Sequence, residues 1–250
     1  MLSFFPSVVR EILSHLPTVA FKTVPWPETI SQTKTITTQY LNSVVPSKVD
    51  EYLNLKLNGK LKIIHQVEKQ RKSFTDQSLS LENAEIILSL YFWQIKNPHG
   101  FYLDLRPKHF YFHPNNHLDF FPVLLFTAWN NDFGQKLFVL YESFYTENMV
   151  LFSTVLDELG LTKGLSQKQK EKLRDLFLQH FGHSTEKQIF KINDFQKSFM
   201  KIFDFFIEHK IHLPVDFIFL GVLLLGLYQN LEKCIEPVNV KKIFLLVKDS

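Results

Sequence analysis

Residues 192–239 read INDFQKSFMKIFDFFIEHKIHLPVDFIFLGVLLLGLYQNLEKCIEPVN. The first part, Ile192–His209, places apolar residues three and four apart, the spacing of an amphipathic helix. His212-Leu213-Pro214 interrupts it, because proline has no N–H to continue the ladder. Beyond the break, Phe217–Tyr228 is a run of twelve residues that includes two glycines. That run is too short to span a bilayer, so it predicts a core helix within Pro214–Glu232. A one-sided helix beside an apolar one is the signature of a helical core.

Similar patterns extend in both directions. Downstream, a last helical turn is expected near Val238–Leu246. Upstream, helices are expected over Asp132–Asn148, Met149–Leu159 and Ser166–Phe181, the last capped by the Ser166 hydroxyl. Ser80 can cap another over Leu81–Lys96, which Asn97-Pro98-His99-Gly100 ends. Phe101–Phe121 is aromatic and broken by Pro107 and by Pro114-Asn115-Asn116, which predicts short strands around a turn. Nearer the start, residues 3–16 read as an amphipathic helix with Pro6 in its first turn. A further helix is expected around Gln32–Val45. In Tyr52–Val67, Leu53, Leu55 and Leu57 alternate with polar residues. Asn58-Gly59 follows, and then Leu61, Ile63 and His65 alternate again. Asn-Gly supplies two positive φ angles, so the segment predicts a two-stranded hairpin. The expected fold is therefore mainly α with a small β part, an α+β class. An N-terminal helix and hairpin fill 1–78, and a helical domain fills 79–250.

Composition narrows the class. The chain has 250 residues, 45% hydrophobic and 21% charged, which suits a folded domain rather than a disordered chain or membrane bundle. Its net charge of +3 is mild and spread out. With no basic stripe interleaved with exposed aromatics, nucleic acid is not an expected partner. The single cysteine, Cys234, permits no internal disulfide. The first residues, Met1-Leu2-Ser3-Phe4-Phe5-Pro6, lack a signal-peptide pattern. A soluble, cytoplasmic protein with no transmembrane span is the expectation, and attachment to a membrane surface stays open.

Gly100-Phe101-Tyr102-Leu103-Asp104-Leu105-Arg106-Pro107-Lys108-His109 resembles, in worn form, a motif of the UbiB-type atypical kinases, ancient kinase-like proteins linked to coenzyme Q metabolism. Their pattern runs Gly-Phe-Phe-His-Ala-Asp-Pro-His-Pro-Gly-Asn. Asn148–Leu161, ending Glu158-Leu159-Gly160-Leu161, resembles a helix of the same family. So does the order Leu213-Pro214, apolar helix, Leu231-Glu232, Pro237 and Asn239. The resemblance covers roughly residues 79–240 and implies a kinase-like C-terminal lobe.

In such a lobe the catalytic loop needs an Asp near the attacking hydroxyl, an Asn that holds metal and a second Asp on magnesium. The resemblance puts Asp104 at the catalytic Asp and His109 at the metal-binding Asn. Neutral imidazole is a poor magnesium ligand, since magnesium prefers oxygen. The second Asp would fall at position 122, which is Pro122, and Asp119 lies three residues early. A literal Asp132-Phe133-Gly134 lies 28 residues past Asp104, too late for the family's spacing. There, Asn131-Asp132 reads better as a helix N-cap. No Gly-rich loop precedes residue 100.

Other polar residues have plain readings beside the chemical ones. His109, His113 and His117 recur every four residues. On a strand, His109 and His113 would share a face as a metal pair, but Pro114-Asn115-Asn116 breaks the geometry before His117. No Cys or placed carboxylate completes a tetrahedral zinc set, so no metal site is expected. His180, His183, His209 and His212 lie at helix C-termini, where charge–dipole capping accounts for them. Cys234 reads as buried and inert. Tyr91, Phe92 and Trp93 read as core, and Asp104-Leu105-Arg106 reads equally as an exposed turn with a local ion pair.

Three functional readings follow. The first is a non-catalytic, pseudokinase-like binding or regulatory module linked to quinone or lipid metabolism. It would take a protein or lipid-like partner and no cofactor. The second is a residual nucleotide binder or phosphotransferase, using Mg-ATP with Asp104 and either Asp119 or Asp132. The third is an unrelated helical protein–protein interaction domain.

Overall fold

A computed structural model of the chain describes residues 11, 22–23, 25–65, 78–113, 117–130, 132–182 and 187–250. Among them the fold is mainly helical (62%), with nine α-helices, a three-stranded mixed sheet and a two-stranded hairpin, an α+β architecture. Helix α1 (Trp26–Leu41) and α2 (Ser47–Leu57) lead into strand β1 (Leu61–Ile63). Helix α3 (Leu81–Lys96) precedes β2 (Phe101–Tyr102), β3 (Phe110–Phe112), β4 (Leu118–Phe120) and β5 (Phe126–Thr127). Then come α4 (Phe133–Tyr145), α5 (Met149–Glu158), α6 (Gln167–Phe181), α7 (Ile192–Glu208), α8 (Val215–Leu231) and α9 (Val240–Lys248). The helix expected over residues 3–16 falls outside the described residues, Glu11 excepted.

The bundle follows from the sequence pattern. Phe195, Phe199, Ile202, Phe203 and Phe206 of α7 are buried and lie three or four apart, so they form one stripe. Every residue of α8 is buried except Tyr228 and Gln229. Tyr91, Phe92 and Trp93 of α3 are core, at 3% exposure or less. The Ser80 hydroxyl accepts from the Asn83 N–H and starts α3. Ser166 starts α6 in a capping box, its N–H donating to Gln169 Oε1 at 2.8 Å.

The hairpin expected over Tyr52–Val67 is not formed. Ser47–Leu57 is helix α2, and β1 pairs in parallel with the distant β4, Leu61 opposite Leu118 and Ile63 opposite Phe120. Leu53, Leu55 and Leu57 alternate, but Leu53 and Leu57 also continue a helical stripe from Val49. All three of those are buried, while Leu55 is 74% exposed. Asn58 and Gly59 do take positive φ, +45° and +74°, but they end a helix instead of turning a hairpin. Asn58→Ala should cost about 1 kcal/mol in urea unfolding, because alanine tolerates the left-handed region less well than asparagine.

β3 and β4 are the antiparallel strands expected from the aromatic segment, and β2 pairs with β5. The three-stranded sheet, ordered β1-β4-β3, takes a strand from each side of residue 78. No described helix is long and apolar enough to cross a membrane.

Candidate functional site

The loop between β2 and β3 carries Asp104, and neighbouring elements hold it from several directions. Gln94 of α3 accepts from the Tyr102 N–H at 2.7 Å, and Leu125 O accepts from the Leu103 N–H at 2.9 Å. From α8, Asn230 Nδ2 donates to Leu105 O and to Gly226 O. Gly226 lets α8 come this close, since a methyl group there would lie 3.0 Å from the Leu105 carbonyl carbon. Arg106 takes the extended conformation that a following proline imposes, φ −64° and ψ 152°. Pro107–His109 then form one 3₁₀ turn.

Within this frame Asp104 is 2% exposed and both of its oxygens are occupied. Arg106 Nε donates to Oδ1 at 2.8 Å and Nη2 donates to Oδ2 at 2.6 Å, a bidentate fork. The Arg106 backbone N–H also donates to Oδ1, at 3.1 Å. His109 Nε2 donates to Oδ2 at 2.8 Å. Burial by itself would raise the Asp104 pKa, but the Arg106 and His109 hydrogen bonds outweigh it and hold the carboxyl far below the ordinary value of 3.8. On its outer side Arg106 Nη1 meets Glu11 at 2.6 Å, and Lys108 Nζ meets the same oxygen at 2.9 Å. The local ion pair read from Asp104-Leu105-Arg106 is therefore present, but buried rather than in an exposed turn.

Asp119 belongs to a different cluster. It lies on β4 opposite Tyr111 of β3 and Lys62 of β1. His113 Nε2 donates to its Oδ2 at 2.8 Å, and His117 Nε2 lies 3.6 Å from Oδ1. The three histidines thus divide as 109 against 113 and 117, not with His109 and His113 paired. The His113 N–H donates to His117 O at 2.8 Å, which brings those two residues together across the turn. Among the described residues, no group of three or more His, Cys, Asp or Glu has a geometry able to hold a metal ion.

Asp132-Phe133-Gly134 is the start of a helix. Asp132 is exposed, has φ +60° and makes no side-chain cap bond, so the expected carboxylate cap of α4 is not made. Phe133 continues an aromatic stack in which Trp129 lies 3.8 Å from Phe101 and 5.4 Å from Phe133, centroid to centroid. Gly134 faces Trp129 and the Ile95 carbonyl. The loop before it is pinned by Asp216 of α8, which accepts from the Asn130 N–H at 2.9 Å and from Nδ2 at 3.1 Å.

Two groupings were not anticipated. Asp50 of α2 accepts from His65 Nε2 at 2.6 Å and from the Tyr102 hydroxyl, tying α2 and the end of β1 to β2. These residues lie far apart in sequence, so no motif announces them. His180 is the other. Read as a charged helix cap, it is instead pushed down to about 4 by burial and bonded through Nδ1 to the Ser198 hydroxyl at 2.8 Å. Its ring packs among Phe181, Phe195 and Phe199, which explains the missing charge.

No protein-family model matches the chain, and no curated protein matches it.

Proposed function

We propose that this chain is a non-catalytic, pseudokinase-like binding or regulatory module related to the UbiB-type kinases. Its order of elements supports that reading. A core helix leads to a short strand, an Asp-bearing loop, an antiparallel strand pair and a strand returning to the first, followed by a helical bundle. Such a loop is the part that would face phosphate in a kinase-like lobe.

The observation that carries the non-catalytic part is the occupancy of Asp104. A catalytic-loop Asp must receive the proton of an attacking hydroxyl. This one gives both oxygens to Arg106 and one of them also to His109. His109 stands where a metal-holding Asn is needed, and its Nε2 is committed to the carboxylate. Asp119 is engaged with His113 and His117. The loop is thus used as a fold-stabilising ion pair, and the module acts through its surface on a protein or lipid-like partner.

A thermal melt with Mg-ATP tests this. A ligand at 100 times its Kd stabilises the folded state by about 2.7 kcal/mol, which a melt resolves. The expected result is an unchanged Tm up to millimolar Mg-ATP. A saturable rise, with phosphate release that Asp104→Asn abolishes, would contradict the proposal.

A further inference from the structure

Asparagine followed by glycine occurs once in the 250 residues, at Asn58-Gly59, and the fold places it at an exposed corner. The pair ends α2 and leads into β1, with both residues in the left-handed region, φ +45° and +74°. The Lys60 N–H closes the turn onto Leu57 O at 3.0 Å. Lys60 O in turn accepts from the Leu118 N–H at 3.2 Å, so this corner carries the chain onto the sheet.

Two groups at this corner are unengaged. The Asn58 side-chain amide makes no hydrogen bond among the described residues, and neither does the Gly59 N–H. A Cβ added at Gly59 would meet nothing within 4 Å, so the space beside that nitrogen is open. Other asparagines are guarded. After Asn42, the Ser43 N–H is bonded to Tyr40 O at 3.0 Å. Asn148 and Asn239 give their side-chain oxygens to the Leu151 and Lys242 N–H groups as helix caps. Asn97 precedes a proline, which has no N–H. Asn230 is buried and donates to Leu105 O and Gly226 O. Asparagine is a chemically labile residue, and at Asn58 nothing in the fold restrains it.

We propose that Asn58 is a self-modification site that converts to aspartate and isoaspartate through a succinimide. The Gly59 nitrogen loses its proton and attacks Asn58 Cγ, the C–NH2 bond breaks, and ammonia leaves with that proton. Water then opens the ring. Cleavage between Cγ and the ring nitrogen gives aspartate, and cleavage between the main-chain carbonyl and that nitrogen gives isoaspartate. The attack needs rotation about Asn58 ψ, which is +51° in the turn. An exposed helix end opens locally at little cost, and glycine has no Cβ to obstruct the rotation. The two products act differently. Aspartate tolerates the left-handed region as asparagine does, so the turn is kept. Isoaspartate inserts a methylene into the main chain, which lengthens the corner, breaks the Lys60–Leu57 bond and loosens α2 from β1. Either product adds a carboxylate to the rim of a cleft that Asn58 lines with Lys56 and Lys60. The site is independent of the Asp104 reading and stands or falls separately from it.

The test is to age the full chain at neutral and at mildly alkaline pH and follow the segment around Asn58 by peptide mapping, with electron-based fragmentation to tell isoaspartate from aspartate. A gain of one mass unit should appear at Asn58 before any other asparagine, faster at the higher pH, with isoaspartate among the products. The rate in the folded chain should lie within about tenfold of the rate in urea, a difference of about 1.4 kcal/mol in barrier. Gly59→Ala, compared with the parent in urea so that folding plays no part, should slow conversion by about tenfold or more. Asn58→Asp should keep the parent's Tm, and the isoaspartate fraction should melt lower. An Asn58 that stays intact in the folded chain after it has converted in urea overturns the proposal. So does a mass gain that appears first at Asn42 or another asparagine, a Gly59→Ala rate equal to the parent's, or an isoaspartate fraction that melts with the parent.

Discussion

Replacing Asp104 by alanine should lower the unfolding free energy by about 3–5 kcal/mol, the cost of leaving one member of a buried ion pair uncompensated. Arg106 would keep its guanidinium in the same closed environment, with its side chain 8% exposed and, among the described residues, only Glu11, half exposed, to answer it. His109 would lose its acceptor as well. Urea unfolding measures the loss. Asp104→Leu combined with Arg106→Met should recover much of it, because removing both charges also removes the desolvation penalty. A difference below about 1 kcal/mol for Asp104→Ala would mean that the pair is not closed from water.

The same pair fixes a pH dependence. The folded-state pKa of Asp104 is depressed below its ordinary 3.8. Its contribution is therefore fully present above about pH 4 and is lost as pH falls from there toward the folded value. The stability gap between the protein and Asp104→Asn should be constant from about pH 5 to 8 and narrow below about pH 4.

The second large effect is expected at Gly134. A methyl group there would come within 2.7 Å of the Ile95 carbonyl and closer still to the Trp129 ring. Neither yields easily: one is helix backbone, and the other is stacked between Phe101 and Phe133. Gly134→Ala should cost about 3 kcal/mol, the upper part of the range for overpacking. Asp132→Ala, at an exposed position, should stay within about 0.5 kcal/mol. That contrast separates packing from metal binding. If Asp132 held magnesium, its replacement would abolish a magnesium-dependent rise in Tm while Gly134→Ala acted independently of the ion.

How legible the fold was in the sequence depended on where each element's partners lay. Helices α3 and α6 through α9 were readable because their apolar spacing, caps and breaks are local. The β3–β4 pair was readable for the same reason, with proline and asparagine marking its turn. Strand β1 was readable as a strand from Leu61-x-Ile63-x-His65, but its pairing was not, since its partner β4 lies on the far side of α3 and nothing in Lys60–His65 points there. Leu53-x-Leu55-x-Leu57 fits a strand and a helix alike, and only the buried Val49 and exposed Leu55 decide between them. At the site, Asp104, Arg106 and His109 were adjacent enough to be singled out together. Their burial was not readable, because it depends on Asn230 and Gly226 of α8 closing over Leu105.

The central claim is that the Asp104 carboxylate is held by Arg106 and His109 and is unavailable to a substrate or a cation. Carbon-13 NMR of the Asp104 side-chain carboxyl, titrated with acid and with magnesium, tests it directly. The expected result is a carboxylate that stays ionised at pH 4 and whose shift is unmoved by millimolar magnesium. A carboxyl that titrates at or above the ordinary aspartate value, or one that responds to the ion, would contradict it.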